Sequence, residues 1–226
     1  MEPIAYLALA SAAFVATHFV SSTPVRGALV ASIGEPLYLG AYSLVSLATL
    51  GWMIAEFAHA PFVPLWHAPA LKLVPLVVMP FALILLASGM MSRNPTAVRQ
   101  ERALRAEEPA RGILRVTRHP MMWGFALWSA AHLVALGDAA ALVFFGAFLV
   151  LALGGTALID ARKAAALGED WKRFAALTSN LPFRAIAEGR NRFSLAEIGW
   201  TKIGAGLALF AMLLALHPYL FGAQPY

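Results

Sequence analysis

Long apolar runs alternating with short basic connectors dominate this chain. Six runs, roughly 4–22, 36–58, 71–91, 120–137, 139–158 and 200–221, come close to the ~20 residues that carry an α-helix across hydrocarbon. Only Gly137-Asp138 separates the fourth from the fifth, which predicts a tight turn and a helical hairpin. Pro75 and Pro80 fall within the third and predict a kink there. Beyond the fifth run, from Asp160 to about Thr178, the pattern becomes amphipathic. Leu167, Trp171, Phe174 and Leu177 share one face, with Lys163, Glu169, Asp170 and Lys172 on others. That periodicity predicts an interfacial helix lying under the bundle. Segment 99–111, RQERALRAEEPAR, is charged throughout and predicts a solvated helix or loop. The expected fold class is all-α: a polytopic membrane bundle of about six transmembrane helices plus a cytoplasmic interfacial helix, forming a single domain over 1–226.

Composition agrees with this pattern. The chain is 60% hydrophobic and 13% charged, with mean hydropathy +0.71, whereas soluble domains carry about 25% charged residues. Cysteine is absent, which excludes thiolate catalysis, disulfides, iron–sulfur clusters and cysteine zinc sites. The start, Met1-Glu2-Pro3, has no basic region, so the first apolar run reads as a retained span rather than a cleaved signal.

The net charge of +5 is explained by its distribution, and no nucleic-acid partner is expected. Arg93, Arg99, Arg102, Arg105, Arg111, Arg115 and Arg118 lie between spans three and four. Arg162, Lys163, Lys172, Arg173, Arg184, Arg190 and Arg192 follow span five, Lys202 opens span six, and Arg26 joins spans one and two. If the spans alternate, sixteen of the seventeen cations share one side and only Lys72 lies opposite. The positive-inside rule then places both termini outside and the large loops in the cytoplasm, as in a multi-pass protein of the inner (cytoplasmic) membrane.

Histidine is costly inside a bilayer and is the commonest metal-ligating side chain. Of the six present, His18 falls in the cytoplasmic half of span one and His119 at the cytoplasmic mouth of span four. His132 lies 13 residues further on, about 20 Å along a helix, near the outer end. His59 and His67 sit at and beyond the outer end of span two, and His217 near the outer end of span six. By height, His18 pairs with His119 and His59 with His132. One haem cannot reach both His119 and His132. Two haems stacked across the bilayer remain open, although the two histidines are offset by ~140° around the helix. Alternatively His119 caps the turn before Pro120, and His59, His67 and His217 are interfacial. His18 and His132, embedded in apolar runs, read as ligands. At the cytoplasmic mouth Arg26, Arg93 and Arg118 flank Pro24, Pro95 and Pro120, and Asn94 lies beside Arg93. Such arginines suit carboxylates such as haem propionates.

Several stretches together resemble the NnrU family, to about residue 193. They are Thr17-His18 with Arg26, Gly34-Glu35-Pro36-Leu37-Tyr38, Tyr42-Ser43-Leu44, Ser92-Arg93-Asn94-Pro95-Thr96 and Thr117-Arg118-His119-Pro120. Leu127-Trp128 through His132, Asp160-Ala161-Arg162-Lys163, Gly168-Glu169-Asp170-Trp171 and Thr178-Ser179-Asn180-Leu181-Pro182-Phe183 complete the set. The family name derives from genes associated with nitric oxide metabolism in denitrifying bacteria, which implies a role linked to nitrogen oxides. The family is similar to zeta-carotene isomerase, a membrane haem b enzyme. That resemblance implies haem b with ligands at His18 and His132, and His59 and His119 also match family histidines. Where the isomerase has a cysteine three residues before the His132 position, this chain has Ser129, a poor haem ligand beside a thiolate. Joining His18 and His132 to one iron requires the spans to shift by about two turns from the heights above. A looser resemblance, through the Arg-His-Pro turn and Gly168 with Trp171, is to isoprenylcysteine and phospholipid methyltransferases, which implies S-adenosylmethionine.

The expected function is haem b binding in a redox or isomerase-type role, with carotenoid isomerase and methyltransferase as alternatives. The expected partners are membrane lipid, a lipid-soluble or small-molecule substrate and a redox protein.

Overall fold

A computed structural model describes residues 2–225 and is all-helical. In chain order the helices are α1 (Glu2–Val20), α2 (Pro24–Ile33), α3 (Glu35–His59), α4 (Leu73–Met90), α5 (Ile113–Val116), α6 (Pro120–Leu136), α7 (Ala139–Leu177), α8 (Arg184–Ala187), α9 (Leu195–Ile198) and α10 (Trp200–Phe221). Five of the six expected spans are long and apolar enough to cross a membrane. The remaining one, α6, has 17 residues, about 25 Å of helix, at the lower edge of the spanning range. This is a multi-pass membrane protein.

The long helices pack as a row, α10–α4–α6–α7–α1–α3. Without a hydrophobic force between helices in lipid, close packing has to supply the attraction. Glycine permits it at α4. A Cβ on Gly124 of α6 would stand 2.8 Å from the Ala82 carbonyl oxygen, and one on Gly206 of α10 would stand 2.6 Å from Ile84 Cα. Exposed Leu44 and Val77 suit a lipid-facing surface.

Pro75 lies in the first turn of α4, where its missing N–H is tolerated, and α4 continues through Pro80. The α6–α7 hairpin turns as expected at Gly137-Asp138. Gly137 takes the left-handed conformation that ends α6 (φ 65°), and the Asp138 carboxylate caps α7 by accepting from Ala140 N and Ala141 N. The 60–68 connector closes this end: Leu65 N and Trp66 N donate to the Gly137 carbonyl, and Trp66 Nε1 donates to Val134 O.

One expectation for the basic end needs correction. The helix expected to begin at Asp160 is the continuation of span five. Helix α7 runs unbroken to Gly168, where φ 51° and ψ −123° bend it, and only the part after that bend stands apart. Gly154, Gly155 and Asp160 all keep helical geometry, so the helical hydrogen bonds carry on to Gly168. After the bend, its apolar face packs against the basic end as the periodicity predicts. Trp171 and Phe174 are buried with Leu104, Ile113, Leu114, Val116 and Ile198 in a core at the basic end, whereas Leu177 is exposed. Segment 99–111 is largely exposed, as its charge predicts, yet it contributes Leu104 and Ala110 to that core. A second core of Leu7, Ala10, Met53, Phe144 and Phe145 fills the opposite half.

Candidate functional site

The site is organised by the turn Thr117-Arg118-His119-Pro120. Pro120 at the first position of α6 fixes the start of the helix, leaving the three preceding residues outside it and dependent on partners. The 178–180 stretch supplies several: Arg118 N donates to Ser179 O at 3.0 Å and Thr117 Oγ1 to Asn180 O at 2.6 Å. From the turn after α4, Asn94 Nδ2 and Thr96 Oγ1 both donate to the Arg118 carbonyl at 3.1 Å. Two loops thus clamp the turn, and Asn94 is a structural clasp.

Clamped in this way, His119 is fully buried. Its Nε2 lies 2.7 Å from Asp160 Oδ1 on α7. Arg118 Nε reaches the same carboxylate at 3.1 and 3.0 Å, and its Nη1 donates to the Thr178 carbonyl. An imidazole donating from Nε2 to a carboxylate leaves Nδ1 as a lone pair. The Nδ1 of His119 is buried and has no hydrogen-bond partner, an unusual condition for a buried polar atom.

His119 stands in the wall of a cavity of about 880 Å³ between α1, α3, α6 and α7, within the usual range for ligand pockets. His18 lines the same cavity. Its Nδ1 is 2.7 Å from the Phe14 carbonyl, which assigns the proton to Nδ1 and leaves Nε2 to accept. Phe14, Phe125, Phe148 and Leu151 form the apolar part of the wall. Arg26, Glu35, Arg99, Arg162 and Lys163 form a charged rim at the basic end. Arg26 and Arg99 share Glu35 at 3.2 and 3.5 Å, and Arg99 sits in the left-handed backbone region (φ 61°). Lys163, buried, reaches Glu101 at 2.6 Å. Burial works to raise the Glu101 carboxyl, and the Lys163 ammonium more than offsets it, holding Glu101 below the ordinary range.

Of the residues singled out from sequence, His18, His119, Arg26 and Asn94 line this cavity and the others do not. His132 stacks on Phe145 (ring centroids 5.2 Å apart, 17° between planes) beside Trp128, and its Nδ1 is bound to Trp128 O. His59 is exposed, with Nδ1 against Ala55 O. Arg93 is exposed at the turn after α4, and Arg118 acts behind the wall through Asp160. The height match between His18 and His119 is therefore the pairing found around one cavity. His18 lies two residues from the basic end of α1, and His132 four from the opposite end of α6.

Sequence reasoning did not select Asp160, Tyr38 or Tyr42 as site residues. An acid ending an apolar run beside Arg162-Lys163 was one available signal, since such an acid needs a partner. Tyr38, Tyr42 and Ser46 recur every four residues on α3, a polar stripe on an apolar helix. All three line the cavity, and the buried hydroxyl of Tyr38 has no partner.

Fold and site together define a multi-pass helical membrane protein with an amphipathic internal cavity walled by two histidines. The chain belongs to the NnrU protein family, whose sequence model matches residues 6–225, including the last helix. It is 39% identical over 79 residues to the chloroplastic 15-cis-zeta-carotene isomerase of Arabidopsis thaliana, covering 35% of this chain and 22% of that protein. The Zea mays isomerase of the same name is 35% identical over 81 residues, 36% of this chain and 22% of that protein. The alignment thus spans about a fifth of the length of these curated relatives. No solved structure matches the chain.

Proposed function

We propose that this protein binds haem b in the cavity between α1, α3, α6 and α7, with His18 Nε2 as a donor. The observation that carries the proposal is His18 in the wall of an amphipathic cavity, its Nδ1 engaged by the Phe14 carbonyl and its Nε2 left to accept. Metal-bound histidines usually donate their second N–H to a carbonyl or a carboxylate, and His18 has such a carbonyl in Phe14. The apolar wall suits a porphyrin face, and the Arg26–Arg99–Lys163 rim suits its carboxylates. The resemblance to haem b isomerases supports the same cofactor. When bound, haem b supplies one-electron redox chemistry and, with an axial position free, coordination of a small ligand.

The chain's own residues orient the group and exclude water. Phe14 and Tyr42 pack against the His18 ring at 4.3 and 5.7 Å, and the loop through Asn94 and Thr96 covers the basic end. Following the positive-inside rule, that end faces the cytoplasm, within reach of a soluble redox partner. A role in nitrogen-oxide-linked redox metabolism fits this arrangement and the family.

The test is the absorption spectrum of detergent-purified protein from haem-replete cells, with a pyridine haemochrome stoichiometry. The expected result is a Soret band that is lost in His18→Ala. Colourless wild-type protein overturns the proposal. A Soret band retained in His18→Ala overturns the ligand.

A carotenoid-type isomerase is the second reading, favoured by the identity to the two zeta-carotene isomerases and by the apolar cavity. The hydroxyl of Ser129 is buried and donates to Phe125 O, so ligand exchange at that position is not available to this chain. Conversion of a cis-carotenoid in reconstituted vesicles tests it.

A further inference from the structure

We infer that Arg162 anchors an anionic head at the basic mouth of the cavity, receiving the carboxylate of a ligand whose body is apolar. For one ligand, haem b with its carboxylates, this rests on the haem reading given above. The head site itself is defined by chemistry that any long apolar carboxylate shares.

The charges around the cavity single out this residue. Six charged side chains line it, and four are cations: Arg26, Arg99, Arg162 and Lys163 against Glu35 and Glu101. Arg26 and Arg99 share Glu35, while Lys163 holds Glu101 at 2.6 Å and the Ala97 carbonyl at 3.3 Å. Asp160, two residues earlier on the same helix, is committed to Arg118 and His119. Both rim acids therefore serve other cations, and Arg162 makes no ion pair among the described residues. An uncompensated charge beside hydrocarbon is costly, and an anion placed there relieves that cost.

Its guanidinium is tethered but not used up. Nη1 donates to the Ser21 carbonyl at 3.0 Å, which leaves the Nε–Nη2 edge without a protein partner. That edge offers two parallel N–H groups, the fork that meets a carboxylate at both oxygens. Neither nitrogen is sealed in by protein, whereas the Tyr38 hydroxyl and His119 Nδ1 are. The tether also sets where the fork stands. Ser21 is the first residue past α1, three after His18, and its hydroxyl donates to the His18 carbonyl at 2.8 Å. A molecule held at His18 with its carboxylate toward the basic end meets Arg162. Its apolar body lies against Phe14 and Phe148, and against Leu47 and Phe125, which line the cavity and are themselves exposed. An arginine that only anchored the protein at the membrane surface would not distinguish an acid from its ester in this cavity.

That distinction is the test. Haem b and its dimethyl ester are titrated into haem-free protein in non-ionic detergent, using wild type, Arg162→Met and, as a control for bulk charge, the exposed Arg173→Met. Wild type is expected to bind haem roughly 10–100-fold more tightly than the ester, the scale of a charge-assisted hydrogen bond. Arg162→Met is expected to lose this preference by weakening haem alone, and Arg173→Met to keep it. No preference in wild type overturns the inference without recourse to any variant, so poor folding of Arg162→Met does not shield it. Equal weakening of both ligands in Arg162→Met marks a structural role and overturns it, as does an undiminished preference in that variant. If wild type binds neither form, the haem reading fails, and oleate against methyl oleate decides the head site. An Arg162-dependent preference for oleate upholds it; equal or absent binding overturns it.

Discussion

Arg115 offers the sharpest test of how the basic end holds its shape. It lies on α5, two residues before the clamped turn, and its side chain is only 10% exposed. The guanidinium donates from Nε to Glu197 Oε2 at 2.7 Å, from Nη2 to Glu197 Oε1 at 3.3 Å, and from Nη1 to Asn191 Oδ1 at 2.6 Å. This fork-on-fork pair ties α5 to α9. Substitution Arg115→Met keeps the aliphatic stem and removes the charge. Breaking a buried pair from one side costs about 3–5 kcal/mol. Glu197 retains the Gly112 N–H at 3.3 Å and the exposed Arg192 at 3.6 Å, which places the expected loss nearer about 2–3 kcal/mol, the scale of one charge-assisted hydrogen bond. The measurement is thermal or denaturant unfolding in mild detergent, with Glu197→Leu and the double variant completing a cycle. A coupling energy of about 2 kcal/mol is expected, at the upper end for contacting residues. Acidity gives an independent check. The Arg115 hydrogen bond holds the Glu197 carboxyl below the ordinary glutamate range. A depressed acid contributes stability that is fully present above its unfolded pKa, about 4.3, and is lost as pH falls through the lower folded value. Wild type should therefore lose part of its advantage over Arg115→Met as the pH drops below about 4.3. A coupling energy under about 0.5 kcal/mol, or parallel acid profiles, would refute the clamp.

Three further outcomes are expected. Asp138→Ala removes the side chain that accepts from Ala140 N and Ala141 N at 3.0 and 3.1 Å; a cap of this kind contributes about 1–2 kcal/mol, readable as a lower unfolding midpoint. Gly124→Val forces a branched side chain against Ala82 O and Leu86 N, 2.8 and 3.2 Å from the Cβ position. Separating α4 from α6 should cost about 1–3 kcal/mol, whereas Gly146→Val, with nothing near its Cβ, should show little change in the same assay. Lys163→Met releases Glu101 and the Ala97 carbonyl, so limited trypsinolysis at Arg99, Arg102 and Arg105 should accelerate while the helical circular dichroism stays constant.

The sequence alone determined the membrane class, the positions of the spans and the clustering of cations, because hydrocarbon imposes length and polarity on each helix independently of its neighbours. It also located the hairpin, since Gly137 and Asp138 carry their turn chemistry locally. Three features depended on tertiary structure. The continuation of α7 past the bilayer to Gly168 was hidden because an amphipathic period looks the same whether a helix starts at Asp160 or arrives there. The clasping of Arg118 by Asn94 and Thr178 joins residues 24 and 60 positions away, a separation that leaves no periodic trace. Most of all, a helical wheel gives a histidine a height and a direction but not the helix it faces. Only the packing of α1, α3, α6 and α7 around one cavity brought His18 and His119 into the same wall, and left His132 stacked on Phe145 outside it.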